Sequence, residues 1–272
     1  MTTTTAEISL KEGRLDETLA QLQDQVRKNP EVARYRVFLF QLLSVNGLWD
    51  RALNQLTVCG NLDAANLAMV QTYREAIRCE LLREKVFLGE TSPLVFGDPE
   101  QWIALLIEAC KLSAQGLYEQ AGMLRDQAYA LAPATPGTLN GAAFEWIADS
   151  DTRLGPVTEA IVNGRYYWIP YHRISKILIE APADLRDFVW LPAQFTWANG
   201  GSAFGLIPSR YPGSDKAEDA MLRLSRKTEW QELSAGFYHG LGQRILVTDQ
   251  GDHALFDTRE LILHTLMNDE HG

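Results

Sequence analysis

Apolar residues recur with helical spacing through the first half of the chain, from Leu10 to about Leu131. The clearest run repeats at positions i, i+4, i+7 and i+11, which places its members on one face of a helix. This run consists of Leu15, Leu19, Leu22 and Val26, and it stops at Asn29-Pro30. The pattern therefore predicts a series of amphipathic helices in this half.

A short phrase that begins with glycine recurs along the helical half. "GRLDETLAQL" starts at Gly13, "GLWDRALNQL" at Gly47 and "GLYEQAGMLR" at Gly116, which gives separations of 34 and 69 residues. One and nearly two periods of 34 residues are typical of tetratricopeptide-like (TPR-like) helical hairpins, in which the glycine ends the first helix. The copy expected around Leu81 has no glycine, so we expect a degenerate array that is distorted by the loop Gly89–Glu100.

The pattern changes after Leu131. A connector rich in proline and glycine, "APATPGTLNG" (Ala132–Gly141), leads into short apolar runs that are separated by turn residues. Two hairpin turns are predicted, at Asn199–Gly201 and at Asp249–Asp252. Five of the seven tryptophans lie in this half, namely Trp146, Trp168, Trp190, Trp197 and Trp230. These features predict a small, strongly curved antiparallel sheet or barrel.

The predicted fold class is therefore multidomain α+β. A TPR-like α-helical repeat domain would occupy residues 1–135, and a small, β-rich, barrel-like antiparallel domain would occupy residues 136–272.

Composition and charge narrow the class of partner. The chain is 46% hydrophobic and 22% charged, which is sufficient for a folded core, and its net charge is −10. An acidic protein attracts neither nucleic acid nor anionic membrane. The three cysteines have no metal-site or disulfide spacing. The most apolar passage, Val37–Val45, is interrupted by Gln41 and is too short to span a membrane. Because the N-terminus also lacks a signal-peptide pattern, we expect a soluble, cytoplasmic protein.

Motifs for catalysis are weak. "GGSAFG" (Gly200–Gly205) lacks the spacing of a nucleophile elbow, and the histidines lack metal-ligand spacing, so neither a cofactor nor a metal is predicted. "SRYPGSD" (Ser209–Asp215) is either an anion-binding loop or an ordinary solvated loop. The enzymatic alternative is a hydrolase-like site between the two domains that uses His172 or His239 with a carboxylate such as Asp184.

A partner-binding surface is the stronger prediction. Helical-hairpin arrays bind peptides on a concave face, and a stripe of arginine and glutamine there suits an acidic or amphipathic helix. The candidate residues are Arg34, Val37, Gln41, Gln71, Tyr73, Arg74 and Arg78. The structural alternative is that Arg74 or Arg78 forms ion pairs with Glu75 or Glu80 inside the array.

Three long runs resemble a known family. They are "RYRVFLFQLLSVNGLWDRALNQL", "QTYREAIRCELLREKVFLGETSPLVFGDPEQWIALLIEA" and "GRYYWIPYHRI". In this order they are similar to the ImpE family, also called TagJ, of type VI secretion accessory proteins. The similarity extends from Leu10 to Leu263 and agrees with a helical part followed by a β-rich part.

The resemblance implies a cytoplasmic, non-enzymatic accessory protein. Members of the family are thought to bind the N-terminal helix of the small contractile-sheath subunit (TssB, also VipA) and to assist or tune sheath handling by the ClpV ATPase. The resemblance brings neither catalytic residues nor a cofactor. Besides the enzyme, the remaining alternative is a structural scaffold for assembly of the secretion machine.

Overall fold

The computed structural model describes residues 5–234 and 237–265. The first half consists mainly of helices. These are α1 (Thr5–Lys11), α2 (Leu15–Lys28), α3 (Ala33–Val45), α4 (Trp49–Leu62), α5 (Leu67–Phe87), α6 (Gln101–Ala114) and α7 (Tyr118–Leu131). A two-residue strand, β1 (Leu94–Val95), lies between α5 and α6. None of the described helices combines the length and the apolar character needed to cross a membrane.

The second half consists mainly of strands. They are β2 (Gly137–Leu139), β3 (Ala142–Phe144), β4 (Ile147–Asp149), β5 (Val157–Val162), β6 (Arg165–Pro170), β7 (Ile174–Ile179), β8 (Trp190–Trp197), β9 (Ser202–Pro208), β10 (Thr228–Ser234), β11 (Phe237–Gly242), β12 (Ile245–Thr248), β13 (Gly251–Ala254) and β14 (Glu260–Leu263). A single helical turn, α8 (Ala220–Arg223), precedes β10. The β8–β9 and β12–β13 hairpins turn where the sequence predicted.

The repeated glycines end helices in the left-handed conformation. The φ angle is 76° at Gly13, 65° at Gly47 and 78° at Gly116. At Gly47 the glycine amide donates to the Ser44 carbonyl (3.1 Å) and the next amide to the Leu43 carbonyl (2.9 Å), and the same pair of bonds recurs at the other two corners. Only glycine adopts this conformation without strain, which explains the recurrence. The predicted corners are confirmed, while a TPR-like array built from them stays a prediction.

The missing fourth corner lies later in the chain than the repeat predicted. Helix α5 is 21 residues long and passes through Leu81 without interruption. It ends with the same pair of hydrogen bonds at Gly89, where φ is 73°. The chain then forms β1, which pairs in parallel with β6, instead of a second helix. The predicted distorting loop thus joins the helical half to the sheet.

The main sheet is open, so the predicted barrel is wrong. Its nine strands follow the order β1-β6-β5-β9-β8-β7-β14-β2-β3. Within the described residues, the β1–β6 pair is parallel and the other strand pairs are antiparallel. Closure requires the two edge strands to bond to each other. This sheet instead buries its two faces against other parts of the molecule.

Alternate residues of β5 point into two different cores. Val157 and Ile161 pack with helical residues in the first core, whereas Ala160 and Val162 belong to the second core. The second core also contains residues of β4 and β12, which pair in a separate three-stranded sheet with β13. One face of the main sheet therefore contacts the helices, and the other face contacts the rest of the β-rich half.

The first core crosses the predicted domain boundary. Helix α7 ends at Leu131 and β2 begins at Gly137, so residue 135 lies in the connector between them. Yet Phe40 and Ile77 from the helical half belong to the same cluster as Trp190 from the sheet. The division into two independently folding domains stays a prediction.

Candidate functional site

The predicted partner-binding residues on α3 differ in their exposure. Arg34 is exposed, and its guanidinium lies over the ring of Tyr35 at 4.9 Å. Val37 is half-buried against the first core. Gln41 is only 6% exposed. On this helix, Arg34 therefore offers the most accessible side chain.

Helix α5 carries the other predicted residues. Gln71 and Arg78 are exposed, and the half-buried Arg74 donates to the Thr57 hydroxyl at 3.4 Å. Tyr73 is buried, with its ring 5.7 Å from the rings of both Phe40 and Trp190. The structure thus brings Gln71, Arg74 and Arg78 to the surface of one helix and packs Tyr73 beneath them.

The sequence also allowed Arg74 and Arg78 to form ion pairs inside the helical array, but the described residues show no such pairs. Neither Arg74 nor Arg78 forms an ion pair there with Glu75 or Glu80. Glu75 instead accepts a hydrogen bond from Gln71, and Glu80 contacts Arg83 at 3.4 Å. The two arginines are therefore available for an external acidic group.

A groove of about 470 Å³ runs beside α5 and contacts the β-rich half. Phe204 on β9, which borders it, is 78% exposed. Arg186 covers the Tyr73 ring at 4.9 Å on the groove wall. The further lining residues are Met69, Thr72, Glu75, Ile161, Asn163, Gly164, Pro192, Ala193, Gly205 and Leu206. Glu75, which lines this mostly apolar groove, accepts a hydrogen bond from Gln71, so the polar stripe on α5 reaches the groove at Gln71. Arg74 and Arg78 are not among the lining residues.

A buried ionic network joins α5 to the sheet. Glu159 on β5 is fully buried and accepts from Arg83 Nε (2.7 Å) and Nη2 (2.9 Å). Arg244 and the Tyr166 hydroxyl also donate to this carboxylate. Although burial opposes the charge, the guanidiniums of Arg83 and Arg244 lower the pKa of Glu159 to about 2. The carboxylate is therefore ionised and holds the two halves of the molecule together.

A second polar site is a cleft of about 270 Å³ between α5 and the loop that follows β9. Its lining residues are Trp49, Glu80, Arg83, Glu84, Phe87, Leu88, Arg153, Arg210, Tyr211, Pro212, Gly213, Asp215, Lys216 and His239. Burial, followed by the positive charge of Arg153, lowers the pKa of His239 to about 4. The imidazole is therefore neutral near pH 7.

The residues of the enzymatic alternative do not form one site. His172 Nε2 lies 2.9 Å from Glu100 Oε1, outside the cleft, and His239 Nε2 lies 3.3 Å from the Ser113 hydroxyl. Asp184 forms an ion pair with Arg186 at 2.5 Å and caps the helical turn Leu185–Phe188. The predicted pairing of either histidine with Asp184 is wrong, because the Asp184 carboxylate binds Arg186 and caps the helical turn that follows it.

The described residues contain no group of three or more His, Cys, Asp or Glu side chains placed to hold a metal ion. Cys59, Cys79 and Cys110 are free thiols in the core, and burial raises the pKa of Cys59 to about 11. Such thiols are mostly protonated and weakly nucleophilic.

The ionic network was not predicted from the sequence. Glu159 lies within the strand "VTEAIV", in which every residue is buried. A single carboxylate in such a strand requires a cationic partner, so it could have indicated an internal ion pair. The identity of that partner was not accessible, because Arg83 lies 76 positions away in sequence.

The chain is similar to known proteins over nearly its full length. The family model described as "ImpE protein" matches residues 141–262. The type VI secretion system accessory component TagJ of Pseudomonas aeruginosa is 54% identical over 256 residues, which cover 94% of this chain and 90% of that protein. The crystal structure of protein VPA1032 from Vibrio parahaemolyticus has a TM-score of 0.88 at 25% identity, covering 96% of this chain and 98% of that one.

Proposed function

The chain belongs to the ImpE family, and from this membership we propose that it is an accessory protein of a bacterial type VI secretion system. The observation that carries the proposal is the 54% identity to the TagJ component across 94% of the chain. A similarity that covers both halves supports a shared task for the whole molecule and not for one segment alone.

The proposed task is non-enzymatic and cytoplasmic. The protein would bind the N-terminal helix of the small sheath subunit (TssB/VipA) and would modulate sheath disassembly by the ClpV ATPase. The helical half would act as a TPR-like adaptor, which uses shape and charge to recognise a helix. Neither His172 nor His239 contacts Asp184, the carboxylate named in the hydrolase alternative, because His172 binds Glu100, His239 binds Ser113 and Asp184 binds Arg186.

The proposed docking surface is the exposed side of α5 with the adjoining groove. Gln71, Arg74 and Arg78 supply polar contacts, since their side chains reach the surface of the helix. Phe204, which is 78% exposed, supplies an apolar contact at the groove. An amphipathic helix requires both kinds of contact, because its apolar face drives burial and its polar rim sets its orientation.

The test is retention of purified sheath subunit by this protein, with the subunit either intact or lacking its N-terminal helix. We expect retention of the intact subunit and loss of binding after truncation. The double charge reversal Arg74→Glu/Arg78→Glu and the substitution Phe204→Asp should each weaken binding at least tenfold. Equal retention of the truncated subunit would show that the helix is not the ligand.

A matched control reverses two charges elsewhere. Arg27 and Lys28 at the end of α2 are 76% and 71% exposed in their side chains. The variant Arg27→Glu/Lys28→Glu changes the net charge by the same amount as the α5 variant. We expect it to bind like the wild type. If it weakens binding equally, the effect reflects overall charge and not the α5 surface.

A further inference from the structure

The cleft beside α5 contains three arginines that are almost fully buried. Arg83, Arg153 and Arg210 are 3%, 7% and 3% exposed. They come from α5, from the turn after β4 and from the loop Ser209–Asp215, whose sequence left open an anion-binding role. Three converging guanidiniums are unusual in a cleft of an acidic protein, because burying a cation is costly unless it has partners.

Arg153 has donor capacity that the protein does not use. Its Nε and Nη2 donate to the Asp151 carboxylate at 2.9 Å and 2.5 Å. Its Nη1 has no acceptor within the described residues and is not among the fully buried polar atoms. The guanidinium is held in place by Asp151 and by the Phe87 ring, which lies 4.8 Å below it. A fixed guanidinium with an unused N–H edge suits an oxyanion.

The charge of Arg210 also remains without a carboxylate partner at ion-pair distance in the described structure. Its Nη1 donates to the carbonyls of Val45 and Arg223, both at 2.7 Å, and its Nη2 to that of Ser44 at 3.0 Å. These carbonyls accept hydrogen bonds from the Arg210 guanidinium but do not neutralise its positive charge, which lies at the wall of the cleft.

The carboxylates of the cleft are partly neutralised. Glu84 pairs with Lys216 at the mouth, and Glu80 accepts from the Trp190 indole at 3.1 Å as well as contacting Arg83. Asp215 lies against the Gly47 corner and forms no ion pair within the described residues. Asp151 balances the charge of Arg153, so the sign of a preferred ligand depends on Arg210 against Asp215, and Arg153 contributes its unused N–H edge.

We propose that this cleft binds a small oxyanion, a carboxylate or phosphate group, with the free edge of Arg153 as the anchor. Its volume of about 270 Å³ lies just below the range of about 300–1,000 Å³ that is usual for drug-sized ligands, which favours a smaller molecule. The neutral His239 ring on the wall supplies a further polar contact without adding charge. This site is separate from the proposed docking surface on α5 and does not depend on it.

Titration of the full-length protein with succinate and, separately, with inorganic phosphate tests the proposal. The ring signals of His239 in NMR spectra, assigned with the variant His239→Gln, report occupancy of the cleft. We expect saturable shifts with at least one probe, and the stronger of the two identifies the oxyanion class. Absence of saturation with both probes would overturn the proposal.

Variants distinguish an anion site from a cation site. Arg153→Gln should weaken binding at least tenfold, and Arg153→Lys, which retains the charge beside Asp151, serves as the second variant if the first is unstable. Asp215→Asn should tighten binding or leave it within twofold, because it removes a negative charge. Lys28→Gln, on the distant surface of α2, should have no effect. Weaker binding in Asp215→Asn, or unchanged binding in both Arg153 variants, would overturn the assignment.

Discussion

Arg83 on α5 and Glu159 on β5 form a two-point ion pair inside the protein, with N–O distances of 2.7 Å and 2.9 Å. The pair connects a helix of the first half to a strand of the second. Both side chains are at most 4% exposed, so solvent does not screen their interaction. The connection explains why the two halves share one core in spite of their different secondary structures.

We expect Glu159→Gln to lower the free energy of unfolding by about 3–5 kcal/mol. The substitution leaves the buried guanidiniums of Arg83 and Arg244 without their shared carboxylate, and an uncompensated buried charge is costly. Chemical denaturation followed by circular dichroism measures the change.

A surface ion pair supplies the control. Lys176 and Glu260 lie 2.6 Å apart, and their side chains are 37% and 38% exposed. Glu260→Gln should cost less than about 1 kcal/mol, because solvent screens such a pair. A loss in Glu159→Gln no larger than that in Glu260→Gln would contradict a structural role for the network.

The corner at Gly47 should tolerate alanine less well than the corner at Gly116. Both glycines have positive φ, which costs a non-glycine residue about 1–2 kcal/mol. At Gly47 a Cβ would also meet the Asp215 carboxylate, whereas at Gly116 it would meet nothing within 4 Å. We therefore expect Gly47→Ala to show the larger fall in melting temperature.

Combining Gly47→Ala with a substitution at Asp215 separates the cost of the positive φ angle from the cost of the steric clash with Asp215. In an Asp215→Gly background both the carboxylate and the Cβ of residue 215, which would lie 3.0 Å from the new Cβ at position 47, are absent, so Gly47→Ala should then cost about as much as Gly116→Ala. If the excess cost at Gly47 persists in this background, the contact between the α3–α4 corner and the loop around Asp215 does not explain it.

The contribution of His239 to the stability of the protein should fall as the pH decreases from about 6.5 to about 4. Histidine in an unfolded chain has a pKa of about 6.5, whereas the pKa of His239 is lowered to about 4 by burial and by Arg153. The unfolded state then binds more protons than the folded state, so the contribution of neutral His239 is complete above this range and is lost on acidification. Urea denaturation of the wild type and of the variant His239→Gln across this pH range measures this contribution as a difference, in which the opposite titration of buried Asp149, whose pKa burial raises to about 7, cancels.

The variant His239→Gln removes the titrating group but retains a polar side chain. We expect the difference in stability between wild type and variant to shrink as the pH falls, and to become constant below about pH 4. A difference that stays constant across the range would mean that His239 does not take up a proton preferentially in the unfolded chain.

Local features were predicted well because they depend on neighbouring residues. The Gly47 and Gly116 corners require glycine at one position, and the hairpin turn at Asn199–Gly201 requires residues that accept its backbone geometry. In contrast, the continuation of α5 past Leu81 was not predicted, since a helix of 21 residues does not fit the 34-residue period. Its extra length carries Arg83 to the sheet.

The candidate partner surface was predicted only in part. The stripe of Gln71, Arg74 and Arg78 follows from helical spacing and lies at the surface. Spacing does not reveal that Tyr73 is covered by Trp190, or that Phe204 from a distant strand borders the groove beside α5. Those contacts join segments more than a hundred residues apart, and no local pattern encodes them.

The sequence by itself determined the family, the helical and β-rich halves, and the corners between helices, because these follow from similarity, periodicity and the backbone freedom of glycine. Only the tertiary structure decided that the sheet stays open, that Glu159 meets Arg83, and that three arginines converge on one cleft. The physical reason is that burial and charge pairing act between segments distant in the chain. Their partners become defined only when the helices cover one face of the sheet.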